Sequence, residues 1–378
     1  MNSCLLLHPQ NSRVDKKSLR TPESSLQELK LLAKSISLRI FLSKIIDLPK
    51  INVSYFFGSG KIDELKHILD KVQDKDCLII INSVLSPIQQ RNLENFWNKK
   101  VLDRTALILE IFGSRAKTKE GSLQVELAHL QWQKSRLVKS WTHLERQRGG
   151  RGFMGGPGEL QIELDKRQIN TRIKKIRSAL KRTIKTRIIQ RKKRSNSYIL
   201  ISLVGYTNAG KSTLFNLLTG ASEYTKDLLF ATLNSKHRKV SSYKYNEFIL
   251  SDTVGFVSNL PTELIESFKG TLEEIIVSDI IIHVRDISHE DFYSQNIDVK
   301  SILSSIFYES KTKIPKVIEA INKIDKSQYV NQSNILNTDS CKTNKVFISA
   351  KSGEGIVDLR NQIDSIIKQK QLVSRHYG

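Results

Sequence analysis

Gly205-Tyr206-Thr207-Asn208-Ala209-Gly210-Lys211-Ser212 follows the apolar run Ile199–Val204 and precedes Thr213-Leu214-Phe215-Asn216-Leu217-Leu218. The first run has the pattern of a buried strand and the last that of a helix start, so the eight residues form a glycine-rich turn at a helix N-terminus. Gly205 and Gly210 allow the backbone to turn so that successive N–H groups point at an anion, aided by the helix dipole. Lys211 adds a point charge suited to β- and γ-phosphates, and the Ser212 hydroxyl is a hard ligand for Mg²⁺. The pattern G-x-x-x-x-G-K-[ST] arises by accident in roughly one chain of this size in a hundred, so its weight depends on the rest of the chain.

Three further boxes occur in order after it: Asp252-Thr253-Val254-Gly255, Asn322-Lys323-Ile324-Asp325 and Ser349-Ala350-Lys351. Asp252 ends the strand-like run Phe248–Ser251, where a carboxylate can hold the same Mg²⁺ through water, and Gly255 can offer its N–H to a γ-phosphate. Asn322 and Asp325 follow the apolar run Val317–Ile321, at the strand end where a parallel α/β sheet presents its ligand crevice. A carboxylate accepts both guanine N1–H and N2–H₂, whereas adenine has no matching pair of donors, so Asp325 predicts selection of GTP over ATP. Lys323 is expected over the base plane, and Ser349, Ala350 and Lys351 are expected to supply a backbone N–H to guanine O6.

A threonine that closes over Mg²⁺ and the γ-phosphate is needed between the loop and Asp252. Thr232 in Leu228-Leu229-Phe230-Ala231-Thr232 is the candidate, with Thr225 as its competitor. The expected metal set is therefore Ser212, Thr232 and Asp252, and the candidate catalytic residues are Lys211, Thr232 and Gly255. Tyr206, Thr207, Asn208, Ala209, Thr213, Phe230, Ala231, Thr253, Val254 and Ile324 complete the expected GTP- and GDP-binding set.

The chain has 378 residues, 39% of them hydrophobic and 26% charged, ordinary for two or three globular domains. Cys4, Cys77 and Cys341 lie far apart without a C-x-x-C, so neither a disulfide framework nor a zinc cluster is indicated and the cytosol is the natural compartment. No apolar run approaches the roughly 18 residues of a membrane span, so stable membrane insertion is not expected. The expected state is a monomer.

Sixty-one basic against 38 acidic residues give a net charge of +23, and the excess is concentrated between Lys166 and Arg194, where no acid occurs. Ile169, Ile173, Ile176, Leu180, Ile184 and Ile188 recur every three or four positions there, which predicts an amphipathic helix. About eight like-charge pairs would cost roughly 2–4 kcal/mol, against about 9–18 kcal/mol from burying six Ile or Leu side chains. The helix therefore persists if it has a partner. Glu120–Arg146, with Leu123, Leu127, Leu130, Leu137, Trp141 and Leu144 at helical spacing, is that partner, and a glycine-rich loop over 149–158 joins the two. Arg148, Arg151, Phe153 and Met154 at the loop, with Arg172, Lys174 and Lys175 on the helix, form an expected RNA-binding set offering phosphate contacts and stacking. The alternatives are a flexible linker and a merely solvated basic face. A membrane-surface role is weaker, because no aromatic belt accompanies the basic face.

Leu85-Ser-Pro-Ile-Gln-Gln-Arg-Asn-Leu93, Val101-Leu-Asp-Arg-Thr-Ala-Leu-Ile-Leu109, Ala116-Lys-Thr-Lys-Glu-Gly-Ser-Leu-Gln-Val-Glu-Leu127 and Gly156-Pro-Gly-Glu159 closely resemble the HflX family of ribosome-associated P-loop GTPases, over nearly the whole chain. The resemblance implies an N-terminal α/β domain over 1–118, an antiparallel basic helical hairpin over 119–195, and a mostly parallel P-loop G domain over 196–378. It also implies the large ribosomal subunit and its RNA as partner and the splitting or rescue of stalled or idle ribosomes; the expected location is cytoplasmic, in part membrane- or ribosome-associated. A nucleotide-sensing assembly factor with little turnover is the alternative. Phe256 stands where Ras-like enzymes place the glutamine that orients the attacking water, so intrinsic hydrolysis is expected to be slow unless a partner or a rearranged switch orders that water. Asn208 resembles the asparagine with which some such GTPases bind K⁺, the alternative being a loop-stabilising hydrogen bond. Departures from the family occur at Leu160, Ile162, Leu164 and Lys166, and at Ser235-Lys236-His237 where relatives commonly have Pro-Thr-Thr. After a last helix over roughly Ile356–Lys368, the C-terminal appendage of longer relatives is expected to be absent or vestigial.

In the N-terminal part, apolar runs near Val53–Phe57, Leu78–Ile81 and Ala106–Phe112 alternate with helix-like Ile62–Leu69 and Ile88–Trp97, an α/β pattern. Asp103, Arg104 and Glu126 are expected to form ion pairs rather than a catalytic site.

Overall fold

The computed structural model describes residues 3–10, 20–72, 74, 76–116, 118–147, 157–195, 198–221, 229–230, 236–241, 247–260, 269–326 and 344–376. Two compact units are present: one comprises chiefly Met1–Thr183, the other Ile184–Leu260 with Phe268–Gly378.

The first unit is built on four parallel strands, β1 (Ser3–Gln10), β2 (Arg39–Asp47), β3 (Leu78–Ile81) and β4 (Val101–Asp103), in the order β2-β1-β3-β4. Leu5, Leu6 and Leu7 are all fully buried, as a strand covered on both faces requires. Helices α1 (Pro22–Ser35), α2 (Ser59–Asp70) and α3 (Pro87–Trp97) connect the strands, and α4 (Arg104–Arg115) follows β4. Their starts are written locally. Pro22 opens α1 behind the Thr21 cap, Ser86 and Gln89 form a capping box on α3, and the Asp103 carboxylate accepts the Ala106 N–H at 2.7 Å to start α4. Phe57, Leu65, Ile79, Leu93 and Trp97 share a core with β1.

Leu78–Ile81 is a strand as the apolar run predicts, but two of its companions are not. Ala106–Phe112 lies inside α4, where every residue from Arg104 to Leu109 is buried; helix and strand cannot be told apart by periodicity in a run that is apolar except at Glu110. Val53–Phe57 forms a turn closed by an Asn52–Phe56 bridge, with Asn52 Oδ1 accepting the Ser54 and Tyr55 N–H groups. The strands that those apolar runs did not mark are β1, β2 and β4.

Helix α5 (Lys119–Gln147) and helix α6 (Pro157–Ser195) pack through Leu127, Ile173, Ile176 and Leu180, flanked by Leu123, Leu130 and Ile169. Helix α6 starts earlier than its charge pattern suggests, with Pro157 at its first turn. The side chains of Trp141, Leu144, Ile184 and Ile188 lie outside the described residues. Arg136 on α5 pairs with the Asp103 carboxylate at 2.6 Å, donates to Leu85 O at 3.2 Å and stacks over Trp132. Arg104 pairs with Glu28 and Glu126 with Arg172, so all three charged residues singled out in the sequence are in ion pairs.

The second unit carries a six-stranded sheet in the order β10-β9-β8-β5-β7-β6, parallel except for β6–β7. Its strands are β5 (Ile199–Gly205), β6 (Lys236–Ser241), β7 (Glu247–Asp252), β8 (Ile280–Asp286), β9 (Lys316–Asn322) and β10 (Asn344–Phe347). Among the described residues, the helices that accompany them are α7 (Lys211–Thr219), α8 (Lys269–Ile276), α9 (Phe292–Ser310) and α10 (Ile356–His376). Strand β8 is buried along its whole length. The C-terminal ends of β5, β7, β8 and β9 therefore share one edge, where Gly205, Asp252, Asp286 and Asn322 fall.

Candidate functional site

Gly205 closes β5 with φ +152°, and a Cβ there would sit 2.2 Å from Val284 O. Gly210 caps α7 in the left-handed region at φ +97°, where a Cβ would meet Asn322 Nδ2 at 2.2 Å. Glycine is thus required at 205 by the neighbouring backbone and at 210 by the left-handed turn and the Asn322 side chain. Asn208 between them is exposed and left-handed at φ +62°, a conformation asparagine tolerates.

Lys211, at the first turn of α7, is 6% exposed and donates to Tyr206 O at 2.7 Å and Gly205 O at 3.1 Å. Burial pushes its ammonium down to about 8, partly opposed by the nearby Asp252 carboxylate. The Ser212 hydroxyl donates to Asp252 Oδ2 at 2.7 Å, bringing the two expected metal ligands together from α7 and the end of β7. The Thr253 hydroxyl donates to Leu203 O at 2.7 Å, which ties the second box to the strand beneath the loop. Gly255 is packed so tightly that a Cβ would lie 2.8 Å from Thr207 Cγ2 and 3.0 Å from Lys211 Nζ.

Phe256 is 3% exposed, with its ring in the core. Its N–H donates to Gly205 O at 3.1 Å and its carbonyl accepts the Thr207 N–H at 2.7 Å, while the Ser258 N–H donates to the Tyr206 hydroxyl at 2.6 Å. The segment after Gly255 is thereby fastened to the loop.

Asn322 is the hinge pin of the base side. Its Nδ2 donates to Ala209 O at 2.8 Å and its Oδ1 accepts the Ala350 N–H at 2.9 Å, so one buried carboxamide joins the loop, β9 and the Ser349 segment. Asp325 is exposed in a 3₁₀ turn (Ile324–Lys326), and its carboxylate accepts the Ser349 hydroxyl at 2.7 Å. Lys323 is left-handed at φ +66°, and its Nζ pairs with Asp286 at 2.6 Å. Asp286 was missed in the sequence; its signal was an acid closing the strand that opens with Ile280-Ile281-Ile282. Ala350 is buried and Lys351 exposed.

Of the first expected switch segment, only Leu229 and Phe230 are described, Phe230 being buried and left-handed at φ +55°. Ala231, Thr232 and Thr225 lie outside the described residues, as do Arg148, Arg151, Phe153 and Met154. Arg172, Lys174 and Lys175 are exposed on α6, and Arg172 holds Glu126 at 2.6 Å. Among the described residues no cluster of three or more His, Cys, Asp or Glu could hold a metal ion, and no helix is long and apolar enough to cross a membrane.

The parallel sheet with a glycine-turned, lysine-bearing loop at one strand end defines a P-loop GTPase. Family models match in succession: "GTP-binding GTPase N-terminal" over 23–113, "GTP-binding GTPase Middle Region" over 115–194 and "50S ribosome-binding GTPase" over 200–323. The GTPase HflX of Magnetococcus marinus is 42% identical over 92% of this chain and 78% of its own length, and that of Escherichia coli 42% identical over 81% and 70%. The chain belongs to the HflX family of GTPases. In fold it is similar to the solved complex of SsGBP with GDP, with a TM-score of 0.51 at 23% identity over 98% of this chain and 99% of the other.

Proposed function

We propose that this GTPase binds and hydrolyses GTP with Mg²⁺ and docks on the large ribosomal subunit, where it splits or rescues stalled or idle ribosomes. The observation that carries the nucleotide half is the convergence of Lys211, the Ser212–Asp252 pair and the Asn322–Ala350–Asp325 group on one end of one sheet. Segments 1–118, 119–195 and 196–378 serve as scaffold, RNA-directed arm and switch.

Ser212 and Asp252 are hard oxygen donors already within 2.7 Å of one another, which fits Mg²⁺. With Thr232 they would hold the ion, and when bound it neutralises charge on the phosphate oxygens. Lys211 supplies charge to the β- and γ-phosphates. Gly255 approaches the γ-phosphate without a side chain in the way, and the carboxylate of Asp325 reads the guanine edge. Thr232 closes the site, and Asn208 is a candidate K⁺ contact. Since the Phe256 ring is buried, no residue in that position orients water, so the intrinsic rate is slow and ribosomes stimulate it.

The nucleotide state orders the segments around Thr232 and Gly255 and thereby changes affinity for the subunit. Support for the ribosomal partner comes from the exposed basic face of α6 and from the name of the model matching 200–323. The test is co-sedimentation with large subunits in the presence of a GTP analogue, GDP or no nucleotide; equal binding in all three removes the switch. Burial of Phe256 also favours a second possibility, a nucleotide-sensing assembly factor with little turnover. Multiple turnover with ribosomes present separates the two, since such a factor shows no stimulation.

A further inference from the structure

Thr207 is 7% exposed, and its Oγ1 is buried without a hydrogen-bond partner among the described residues. Buried hydroxyls are almost always paired, so an orphan one calls for a reason. The side chain lies against Gly255: Cγ2 and Cα are 2.8 and 2.9 Å from the point a Gly255 Cβ would take, and Lys211 Nζ is 3.0 Å from that same point. Thr207 thus sits where two groups assigned above to the third phosphate meet. Its own N–H is engaged by Phe256 O at 2.7 Å, which leaves the hydroxyl as the donor that residue still has to offer. The β-branched side chain restricts χ1, and packing of its methyl on Gly255 holds the rotamer.

We propose that the Thr207 hydroxyl donates to an oxygen of the third phosphate of GTP, making Thr207 a side-chain determinant of triphosphate over diphosphate. This rests on the nucleotide site proposed above. A donor aimed only at the terminal group strengthens GTP binding and leaves GDP binding alone, because GDP has no oxygen there to accept.

The experiment is isothermal titration of the full chain with GDP and with a non-hydrolysable GTP analogue, in Mg²⁺, for the wild type, Thr207→Val and Thr207→Ser. Valine keeps the shape and removes only the hydroxyl. Affinity of Thr207→Val for the analogue is expected to fall about ten- to hundred-fold, the worth of one hydrogen bond to a charged acceptor, with GDP affinity within about twofold of wild type. Thr207→Ser is expected to recover the analogue to within about threefold. Equal weakening of both nucleotides assigns the hydroxyl to the loop's own structure and overturns the proposal, as does an unchanged ratio of analogue to GDP affinity. Failure of the underlying nucleotide site is visible separately, as a wild-type protein that does not prefer guanine over adenine nucleotides.

Discussion

Replacing Asn322 by alanine should loosen the nucleotide-free G domain in a way that can be sized. The carboxamide donates to Ala209 O at 2.8 Å and accepts the Ala350 N–H at 2.9 Å, and it is 2% exposed. Truncation leaves one buried carbonyl and one buried N–H without their partner, each worth about 1–3 kcal/mol when water cannot replace it. The joint loss is about 2–5 kcal/mol, since the loop relaxes in part. Native-state hydrogen exchange on peptides spanning 199–221 and 344–360 is the assay, because it reads local opening. Protection there should fall between about thirtyfold and a few thousandfold. Trp97, Trp132 and Trp141 all belong to the first unit, so tryptophan fluorescence on denaturation should be unchanged and serves as an internal control. Asn322→Asp sharpens the test. It keeps the acceptor for Ala350 but turns a carboxylate oxygen toward the Ala209 carbonyl, so its loss at 199–221 should match or exceed that of alanine. Exchange at both segments within twofold of wild type refutes the clamp.

Lys211 is held at about 8 by burial, below its usual value, so the unfolded chain binds the extra proton between about pH 8 and 10.5. The cost of burying its charge is complete below pH 8 and relieved above it. Stability of the nucleotide-free wild type relative to Lys211→Met should therefore rise across that window, and a flat difference contradicts the burial. Gly255→Ala places a methyl against Thr207 Cγ2 and Lys211 Nζ; single-turnover hydrolysis should drop at least about tenfold while GDP affinity stays within a fewfold, and normal turnover shows that the segment does not close as described. Arg136→Met strands the Asp103 carboxylate, whose side chain is fully buried. Unfolding of the first unit, followed by Trp132 fluorescence, should lose about 3–5 kcal/mol at neutral pH. Burial already raises Asp103 above the usual carboxylate range against the pull of Arg136, and without Arg136 it rises further, so the deficit should shrink as acid protonates it. Phe256→Gln puts an amide into a 3%-exposed site with its backbone fastened to Gly205 and Thr207; stability should fall by about 2–4 kcal/mol, and a faster intrinsic rate would show that the ring can leave the core.

The G domain was legible because its chemistry is written in short, ordered boxes. Gly205 and Asp252 each close a strand and Lys211 opens a helix, so the boxes fall where the local pattern changes. The hairpin was legible for another reason: Ile169, Ile173, Ile176 and Leu180 leave a stripe that only a second helix can cover. The N-terminal sheet was harder. Ala106–Phe112 is apolar at nearly every position because α4 is buried on most sides, and such a run carries no period to separate helix from strand. Strand β1 is buried from Cys4 to Leu7, a four-residue apolar run too short to show a period. The partners of Asn322 could not be read at all, since Ala209 and Ala350 lie 113 and 28 residues away and contribute only backbone groups.

The site's groups are already bonded within the protein, and this shapes what a nucleotide gains. Lys211 is engaged by two loop carbonyls, Ser212 by Asp252 and Asp325 by Ser349. For these residues, binding exchanges one set of partners for another, so each contributes the difference between two hydrogen bonds and not a whole one. Asn322 differs: its bonds to Ala209 and Ala350 hold the loop and the base-side segment in register whether or not a ligand arrives. The exchange is most favourable at Lys211, where a phosphate would replace neutral carbonyls with full negative charge and restore an ammonium that burial has weakened. A group that gains a partner without surrendering one would contribute most to telling triphosphate from diphosphate. Among the described residues at the third-phosphate corner, the Thr207 hydroxyl meets that condition.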